Sequence, residues 1–451
     1  MNDSEAITYL EQFVNYEYVK REKFPRTFHL TRVAKLLELL GNPQQHLKII
    51  HIAGSKGKGS TAAMLAHVLK AANYRTGLYT SPHIDHYRER IRILDQTKQV
   101  QTNDDLFVDA MTLHDLAGCL TQMQSAIETV QNDERLGQLS FFEIFTALAL
   151  FYFQQQNVDW VVLETGLGGR YDATNVVDST IAMITQIDLE HTHVLGHTLT
   201  DIAAEKAAII KSQRQHVVIA PQEQEVQDVF EQQCRNVGAE YVIAGEDMDL
   251  SVVRESIEGQ SVRVSEAGYA FDMQLPLVGE HQIKNLANVL SCVKLLRQKG
   301  CVISQQHIQT GMAQTYWPIR FERVACDPDV ILDAAHTPTS VKTLVQTMQR
   351  FYGNHKVCLI VGFSEDKDIQ TMCGYFNQLN ADIILTRAQH VRAVDLSKEM
   401  MQGLFPDKVI QKTDNVAQAV QLPKQGAVTL ITGSVFVASE ARKLLCTSTK
   451  V

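Results

Sequence analysis

The segment HIAGSKGKGST, residues 51–61, joins a short apolar run to a helical pattern through a turn that contains three glycines. The run KIIHIA, residues 48–53, predicts a strand before the turn, and STAAMLAHVLKAAN, residues 60–73, predicts a helix after it. Glycine lets the backbone approach a ligand closely, and the first turn of a helix offers unpaired N–H groups to an anion. We therefore predict a phosphate-binding loop, with Lys58 reaching phosphate oxygens and Ser60 able to ligate Mg²⁺.

The spacing of this loop differs from the usual phosphate-loop pattern, G-x-x-x-x-G-K-[ST]. Here Lys58 precedes Gly59, which gives the variant G-x-x-G-K-G-S. The alternative is a plain tight turn between a strand and a helix. A plain turn needs neither two lysines nor three glycines, so phosphate binding is the favoured interpretation.

Outward from the loop, short apolar runs alternate with helical patterns, which is typical of a mostly parallel sheet with crossover helices. Ser140 and Glu143 form a candidate capping box before a largely buried helix, and Thr200 is the predicted cap of the helix DIAAEKAAIIK. The further predicted strands are TGLYT (76–80), WVVL (160–163), TIAMITQI (180–187) and HVVIA (216–220).

The pattern changes at residue 250, where short alternating stretches with glycine turns predict a small antiparallel appendage up to residue 278. A helix over 281–299 follows, and Pro318 then interrupts regular structure. The remainder predicts a second α/β series with strands near 330–336, 356–363, 382–386 and 428–434. We expect a phosphate-loop α/β domain over 1–314, a linker over 315–323, and a smaller Rossmann-like α/β domain over 324–451.

Composition excludes several classes of protein. The chain has 451 residues and a formal charge of -9, which argues against a protein that coats nucleic acid or an anionic membrane. No apolar run approaches the ~18 residues that a membrane span needs, and the acidic start does not resemble a secretory signal. The eight cysteines form no CxxC pair, as expected for reduced thiols and no zinc site. We expect a cytoplasmic protein.

Acidic and histidine side chains follow two further predicted strands. Glu164 ends the first strand and opens the glycine-rich stretch ETGLGGRYDATN, while Asp188, Glu190 and His191 follow the second. Open α/β sheets bind ligands at the carboxyl ends of their strands, so Glu164 and His191 are candidate metal ligands. A solvated glutamate in a flexible turn is the alternative for Glu164.

The stretch SPHIDHYRERIRI, residues 81–93, brings histidines and arginines together directly after a strand. If Arg88, Arg90 and Arg92 face the site, they suit a substrate that carries carboxylates. Their alternation fits the exposed face of an ordinary strand equally well. Both interpretations stay open on the sequence.

In the last third of the chain, Arg320 lies at the predicted domain junction, and Asp333 and His336 end a predicted strand. Asp333 alone predicts no more than a turn cap. The pair at one strand end indicates a contact to nucleotide and phosphate.

Taken together, these segments resemble the folylpolyglutamate synthase and dihydrofolate synthase family within the Mur ligase superfamily. The motifs that carry the resemblance are GSKGKGST, TSPHIDHYRERIRI, SFFE, ETGLGGRYDATN, HTHVLGHTLTDIAAEKAAIIK, GEHQIKNLANVL, WPIRFERV, ILDAAHTP and TGSVFVASEAR. Their order matches over nearly the whole chain.

The resemblance implies a role for individual residues. The implied contacts to ATP are Gly57, Lys58, Gly59, Ser60, Asn285, Arg320 and Asp333. The implied magnesium ligands are Ser60, Ser81, Glu164, His191 and Lys206, the last as a carbamylated lysine. The implied catalytic residues are His336, Lys206 and Lys58, and the implied folate-side residues are Pro82, His83, Ser140, Phe141, Phe142 and Glu143.

The resemblance further implies an ATP- and Mg²⁺-dependent ligase that joins L-glutamate to the γ-carboxylate of a folate through an acyl phosphate, with K⁺ as an optional further cation. It implies small-molecule partners and a monomer as the default state. The alternatives are joining glutamate to dihydropteroate, alone or in the same active site, a Mur-type ligase acting on a cell-wall precursor, and a nucleotide-driven switch without ligase chemistry.

Several positions depart from the commoner family pattern. Lys56 often appears there as Asn, Glu190 as Asp, Ala208 as Gly, Ile319 as Gly, and DAAHT as DGAHN. All the proposed ligands are preserved. Thr337 in place of Asn is the departure expected to alter contacts near the γ-phosphate.

Overall fold

The fold is described from a computed structural model over residues 1–19, 29–96, 106–266, 268–353, 355–422 and 426–447. Two compact units divide the chain. The first comprises Met1–Val253, Ser261–Leu275 and Glu280–Thr315, and the second comprises Arg254–Gln260, Pro276–Gly279 and Tyr316–Val451. Sequence periodicity gives no sign of the two short segments that join the second unit.

A seven-stranded sheet in the order β3-β2-β4-β1-β5-β6-β7 forms the centre of the first unit. All neighbouring pairs are parallel except β2 with β3. The strands are β1 Ile49–Ala53, β2 Thr76–Tyr79, β3 Ile91–Leu94, β4 Trp160–Glu164, β5 Ile181–Ile184, β6 His216–Ile219 and β7 Glu240–Ile243. The central strands β1, β4 and β5 are buried along their whole length, as expected when helices cover both sheet faces.

Two apolar clusters among the described residues pack helices on this sheet. One cluster joins α1, α2, α4 and α5 to β1 and β4, and the other joins α7 and α8 to β5 and β6. The helices are α1 Asp3–Glu11, α2 Thr31–Leu39, α3 Lys58–Ala71, α4 Leu113–Gln131, α5 Phe141–Gln155, α6 Thr192–Leu195, α7 Leu199–Ala207, α8 Gln224–Val237, α9 Glu280–Gln298 and α10 Gln305–Ala313. Among the described residues, no helix is both long and apolar enough to span a bilayer.

A small sheet in the order β10-β9-β8 confirms the predicted antiparallel appendage. Its strands are β8 Asp249–Ser256, β9 Gly259–Glu266 and β10 Tyr269–Leu275. Alternating burial along β9 is the pattern of a strand with one covered face.

The second unit contains a six-stranded sheet in the order β11-β12-β16-β13-β14-β15, parallel except for β11 with β12. The strands are β11 Glu322–Ala325, β12 Val330–Leu332, β13 Val357–Val361, β14 Ala381–Leu385, β15 Ile410–Lys412 and β16 Val428–Thr432. The helices are α11 Pro338–Tyr352, α12 Ile369–Phe376, α13 Lys398–Leu404, α14 Val416–Ala419 and α15 Val435–Thr447. The predicted fold class, two α/β sheets with an antiparallel appendage, is confirmed.

Two local predictions differ from the structure. The cap of α7 is Thr198 and not Thr200, because the Thr198 side chain accepts from the Asp201 N–H and Asp201 returns the bond as a capping box. The stretch from 87 to 90 is a 3-10 helix, and the following Arg92 lies in β3 with its side chain buried. An exposed strand face for Arg90 and Arg92 is therefore wrong.

Two core histidines should make the first unit sensitive to acid. Burial lowers the pKa of His51 from 6.5 to about 3, and burial together with Arg92 lowers the pKa of His67 to about 4. Below pH ~6.5 these histidines bind protons in the unfolded chain but stay neutral in the folded chain. The free energy of unfolding therefore falls as the pH drops. At pH 5 each histidine accounts for about 2 kcal/mol of this loss.

The substitution His67→Asn should therefore reduce the drop in unfolding free energy between pH 7 and pH 5 by about 2 kcal/mol. Asparagine keeps a donor near the position of Nδ1, which contacts the Ala63 carbonyl at 2.8 Å. Urea unfolding at both pH values measures the difference. The exposed His114→Asn should leave the drop unchanged, and an unchanged drop in His67→Asn would contradict the assignment.

Candidate active site

The register of the central sheet determines which residues meet at its carboxyl edge. Ile52 of β1 pairs with Glu164 of β4, and Ala53 of β1 pairs with Ile184 of β5. Consequently the loop after β1, the carboxylate ending β4 and the segment after β5 leave the sheet side by side. β1 continues toward β2 and β5 toward β6, in opposite directions along the sheet, so a crevice for a ligand is expected between them.

Two glycines allow the loop after β1 to pack closely. Gly57 has φ +85°, and a Cβ there would lie 2.1 Å from Oδ1 of Asn285. Gly54 has φ +151°, and a Cβ there would lie 1.8 Å from Oγ1 of Thr185. Asn285, predicted from the sequence, thus contacts the loop, and Thr185 is a neighbour that the sequence did not indicate.

Lysine ammonium groups surround the start of this loop. Nζ of Lys58 donates to the Gly54 carbonyl oxygen at 3.0 Å, and Nζ of Lys206 donates to the same oxygen at 2.8 Å. Lys206 is also 3.3 Å from Oε1 of Glu190, and Nζ of Lys56 is 3.4 Å from Oε2 of Glu190. Two of the departures from the family pattern, Lys56 and Glu190, are therefore in contact with each other.

Lys206 is 1% exposed, at the end of α7. Burial lowers the pKa of its ammonium from 10.5 to about 8, even though Glu190 opposes the shift. Burial alone would raise the pKa of Glu190, but Lys206, Lys56 and Lys58 hold it well below its usual range. The alternative of an ordinary surface lysine is wrong for Lys206.

Glu164 and Ser81 lie together on the other side of the loop. Glu164 is 4% exposed, and its Oε2 accepts from the Ser81 N–H at 3.2 Å. The alternative of a solvated turn glutamate is therefore wrong. Carboxylate and hydroxyl oxygens are the ligands that Mg²⁺ prefers, so Glu164, Ser81 and Ser60 suit this ion chemically.

Within the described part of the chain, no three side chains of histidine, cysteine, aspartate or glutamate converge as a metal site. The predicted magnesium set contains two residues of those types, Glu164 and His191, with serines and a modified lysine as the remainder. His191 has φ +48° and precedes the short helix α6. Its role as a ligand stays a prediction.

A buried chain of hydrogen bonds supports the loop that follows Glu164, and the sequence did not reveal it. Nε2 of His51 contacts Oγ1 of Thr174 at 2.8 Å, and Thr174 donates to Asp172. Asp172 also accepts from the Leu167 N–H at 2.7 Å. Since burial raises the pKa of Asp172 and these donors lower it, the carboxylate depends on this loop geometry.

Two of the three arginines after β2, Arg90 and Arg92, are bound by acidic partners, and Nη1 of Arg88 donates to the Met111 carbonyl at 3.0 Å. Arg90 is 0% exposed, and its Nη2 lies 2.5 Å from Oε2 of Glu17 and 2.8 Å from Nδ1 of His83. Arg92 forms two bonds of 2.8 and 2.9 Å with Asp109. Both guanidinium groups are therefore charge-paired within the protein. Arg90 positions His83, whose place on the folate side stays a prediction.

The SFFE stretch, residues 140–143, contains the two residues of a helix cap at its ends and two phenylalanines between them. Ser140 caps α5 through Glu143, and the other oxygen of Glu143 accepts from Arg32 at 2.9 Å. Phe141 is buried, whereas Phe142 is partly exposed and lies where a Cβ on Gly166 would be 2.5 Å away. Among these four candidates Phe142 is the one that is not fully buried.

In the second unit, Asp333 follows β12 and is bound from both sides. Its Oδ2 accepts from the Phe321 N–H and its Oδ1 from the Ala335 N–H, each at 2.8 Å. Burial raises the pKa of Asp333, while Arg320 and these two N–H groups lower it. Asp333 thus holds the Arg320 segment against the end of β12.

His336 and Thr337 immediately precede the helix α11. Nδ1 of His336 contacts the Ala334 carbonyl at 2.8 Å, which makes Nδ1 the donor and leaves the lone pair of the neutral ring on Nε2. Thr337 caps α11 through Ser340. Ile319 has φ +51°, a conformation that glycine adopts without strain, which explains why glycine suits this position in the family.

Comparison with known proteins identifies the family of the chain. Residues 112–293 match the Mur ligase middle domain, and residues 319–435 match the Mur ligase glutamate ligase domain. The chain is 30% identical over 452 residues to folylpolyglutamate synthase of Lacticaseibacillus casei, covering 99% of both proteins. The chain belongs to the folylpolyglutamate synthase and dihydrofolate synthase family. It is accordingly an ATP-dependent ligase that forms an amide bond with glutamate.

Other members of the family are similar to this chain over nearly its whole length. The dihydrofolate synthase/folylpolyglutamate synthase of Bacillus subtilis is 31% identical over 433 residues, 94% of this chain and 96% of that protein. The folylpolyglutamate synthase of Mycobacterium tuberculosis, complexed with ADP and AMPPCP, superposes with a TM-score of 0.84 at 27% identity, covering 98% and 99%. E. coli FolC, in complex with DHPP and ADP, gives a TM-score of 0.82 at 27% identity, covering 100% and 99%.

Gly57→Ala tests the phosphate loop of this family member. The new methyl group would lie 2.1 Å from Oδ1 of Asn285 at a positive φ, so the loop or Asn285 must move. We expect at least about tenfold weaker ADP binding, measured by calorimetry, because loop N–H groups lose their alignment.

The matched control is Gly118→Ala within α4, where a Cβ meets nothing within 4 Å. That variant should bind ADP normally and gain up to about 1 kcal/mol of stability. Equal ADP affinity in Gly57→Ala and Gly118→Ala would show that the close approach has no role in binding.

Proposed function

We propose that the chain uses its carboxyl-edge site to add L-glutamate to the γ-carboxylate of a tetrahydrofolate-type substrate, with ATP converted to ADP and phosphate. One observation carries this proposal. The phosphate loop, Glu164 and the segment with Glu190 follow neighbouring strands, Ser81 and the buried Lys206 contact Glu164 and Glu190 there, and the chain matches a folylpolyglutamate synthase over 99% of both lengths.

The chemistry explains why ATP is needed. A carboxylate is a poor electrophile, so one of its oxygens first attacks the γ-phosphorus of ATP and ADP leaves. The amine of glutamate then attacks the carbonyl carbon of the acyl phosphate, loses a proton, and expels inorganic phosphate. Phosphoryl transfer depends chiefly on positioning and on charge neutralisation.

We assign these tasks to named residues. Lys58 and the N–H groups at the start of α3, including those of Gly59 and Ser60, hold the phosphates. Asn285, Arg320 and Asp333 contact the nucleotide, and His336 contacts the transferring phosphoryl group. The support is the loop geometry in the first unit and the family pattern in both units.

Magnesium, when bound, supplies positive charge next to the phosphate oxygens. Ser60, Ser81, Glu164 and His191 would hold it, with Lys206 as a further ligand once carbamylated. K⁺ is an optional further cation. On the folate side we assign Phe142, Pro82 and His83 to the substrate, while Phe141, Ser140 and Glu143 shape that surface through packing and capping.

A second function is the joining of glutamate to dihydropteroate. Two observations favour it as an additional activity: the Bacillus subtilis relative is described as dihydrofolate synthase/folylpolyglutamate synthase, and E. coli FolC was solved with DHPP and ADP. We further propose that the protein acts in the cytoplasm as a monomer on small-molecule substrates, without nucleic acid or membrane partners.

ADP release with different acceptors tests the function. At saturating glutamate and ATP, tetrahydrofolate should stimulate ADP release, and stimulation by dihydropteroate would establish the second activity. We expect His336→Ala and Glu164→Gln to keep the fold but to lose about 100-fold or more of the acceptor-dependent rate.

The matched controls are His114→Ala and Glu225→Gln, two exposed positions on α4 and α8. Both should retain wild-type turnover. Undiminished turnover in His336→Ala or Glu164→Gln would remove that residue from the site, and ADP release that ignores every acceptor would refute ligase activity.

The family resemblance implies carbamylation of Lys206, and burial, which lowers the pKa of its amine to about 8, favours the neutral form that reacts with CO₂. The neutral amine attacks the carbon of CO₂, loses a proton and becomes an anionic carbamate, which can bind a cation. Protein equilibrated with ¹³C-bicarbonate should show a carbamate carbon resonance that Lys206→Arg abolishes.

Lys211→Arg is the control, because burial also lowers the pKa of Lys211 to about 8, but its Nζ donates to the Asn175 and Val177 carbonyls, whereas Nζ of Lys206 lies beside Glu190 and the Gly54 carbonyl of the phosphate loop. The resonance should persist in that variant. Its persistence in Lys206→Arg would contradict the assignment.

A further inference from the structure

Lys56 is a charged residue of the phosphate loop that the proposed mechanism does not use. It lies between Gly54 and Gly57, and its side chain is 25% exposed. Its Nζ is 3.4 Å from Oε2 of Glu190. This separation is longer than the roughly 2.7–2.9 Å typical of a charge-assisted hydrogen bond, and a quarter of the lysine side chain is open to solvent. The ammonium is therefore held loosely and can exchange its partner at small cost.

Glu190 does not need Lys56 for charge balance. Its other carboxylate oxygen is 3.3 Å from Nζ of Lys206, whose side chain is only 2% exposed. Before any carbamylation of Lys206, the side chains of Lys56, Lys58 and Lys206 carry three positive charges against the one negative charge of Glu190, a net charge of plus two over these four side chains. Such an excess of positive charge attracts an anion with more than one charge.

Hydrogen bonds anchor the phosphate loop at Ser55 and Lys56. The N–H groups of Ser55 and Lys56 both donate to the Gln186 carbonyl, at 2.9 and 3.0 Å. Oγ of Ser55 donates to the Asp188 carbonyl at 3.0 Å. Because the loop backbone is fixed on the segment after β5, rotation about the four side-chain bonds of Lys56 is enough to turn its ammonium from Glu190 toward a ligand on the loop.

We propose that Lys56 is an additional phosphate-binding residue that exchanges Glu190 for the polyphosphate of a bound nucleoside di- or triphosphate. Glu190 holds the ammonium beside the loop until the nucleotide arrives. This inference rests on the proposed function in one respect, namely that the loop binds a nucleotide.

Calorimetry of ADP binding in EDTA tests the exchange without any contribution from a metal ion. Lys56→Gln should bind ADP about tenfold more weakly than wild type, with a shallower dependence on salt, because one cation is lost. Lys56→Arg keeps the charge and should recover most of the affinity. Glu190→Gln should bind ADP as tightly as wild type or more tightly, since it removes the competing anion.

Lys48→Gln is the matched control, because Lys48 is an exposed lysine immediately before β1, at the opposite end of the strand from the loop. It should leave ADP affinity unchanged. Thermal unfolding of each variant checks that the fold is retained.

Three results would overturn the inference. The first is an ADP affinity of Lys56→Gln within about twofold of wild type. The second is no recovery of ADP affinity in Lys56→Arg. The third is an equal loss of ADP affinity in Lys56→Gln and Glu190→Gln. The last would show that the ion pair only maintains the structure. A wild-type protein that binds no ADP would instead refute the proposed function and remove the basis of this inference.

Discussion

The parallel pairing of β1 between β4 and β5 is the constraint on which the first unit's site depends. It aligns Ile52 with Glu164 and Ala53 with Ile184, so that three strands end at one edge. The pairing of the strands therefore brings the phosphate loop, the Glu164 carboxylate and the Glu190 segment together through the backbone. A change of pairing partner would separate these groups, whereas most changes within the helices would leave them together.

At this edge of the sheet, burial disfavours the charged form of a side chain and ion pairing favours it. Burial disfavours charge on Lys206, Glu190 and Arg90 alike, yet each has an oppositely charged partner within hydrogen-bonding range. The whole chain carries a formal charge of -9, but Lys56 and Lys58 of the loop and Lys206 of α7 gather near the one carboxylate of Glu190. Net charge therefore describes the surface as a whole, and the ligands are selected by local charge.

Much of the fold and part of the site follow from local patterns. The strand, loop and helix at residues 49–71, the capping box at Ser140 and the antiparallel appendage are all readable because adjacent residues decide them. The arginines after β2 show the opposite case. Their alternation predicted an exposed face or a substrate contact, but distant acidic residues, Glu17 and Asp109, bind Arg90 and Arg92 in the interior.

The sequence by itself determined the phosphate loop, the candidate ligands at strand ends and the family, since these depend on residue type and on short spacing. Only the tertiary structure decided which of those residues meet. The contacts of Gly57 with Asn285 and of Lys56 with Glu190 join segments 228 and 134 residues apart. Such contacts arise from strand order and helix packing, and no local pattern specifies a partner at that distance.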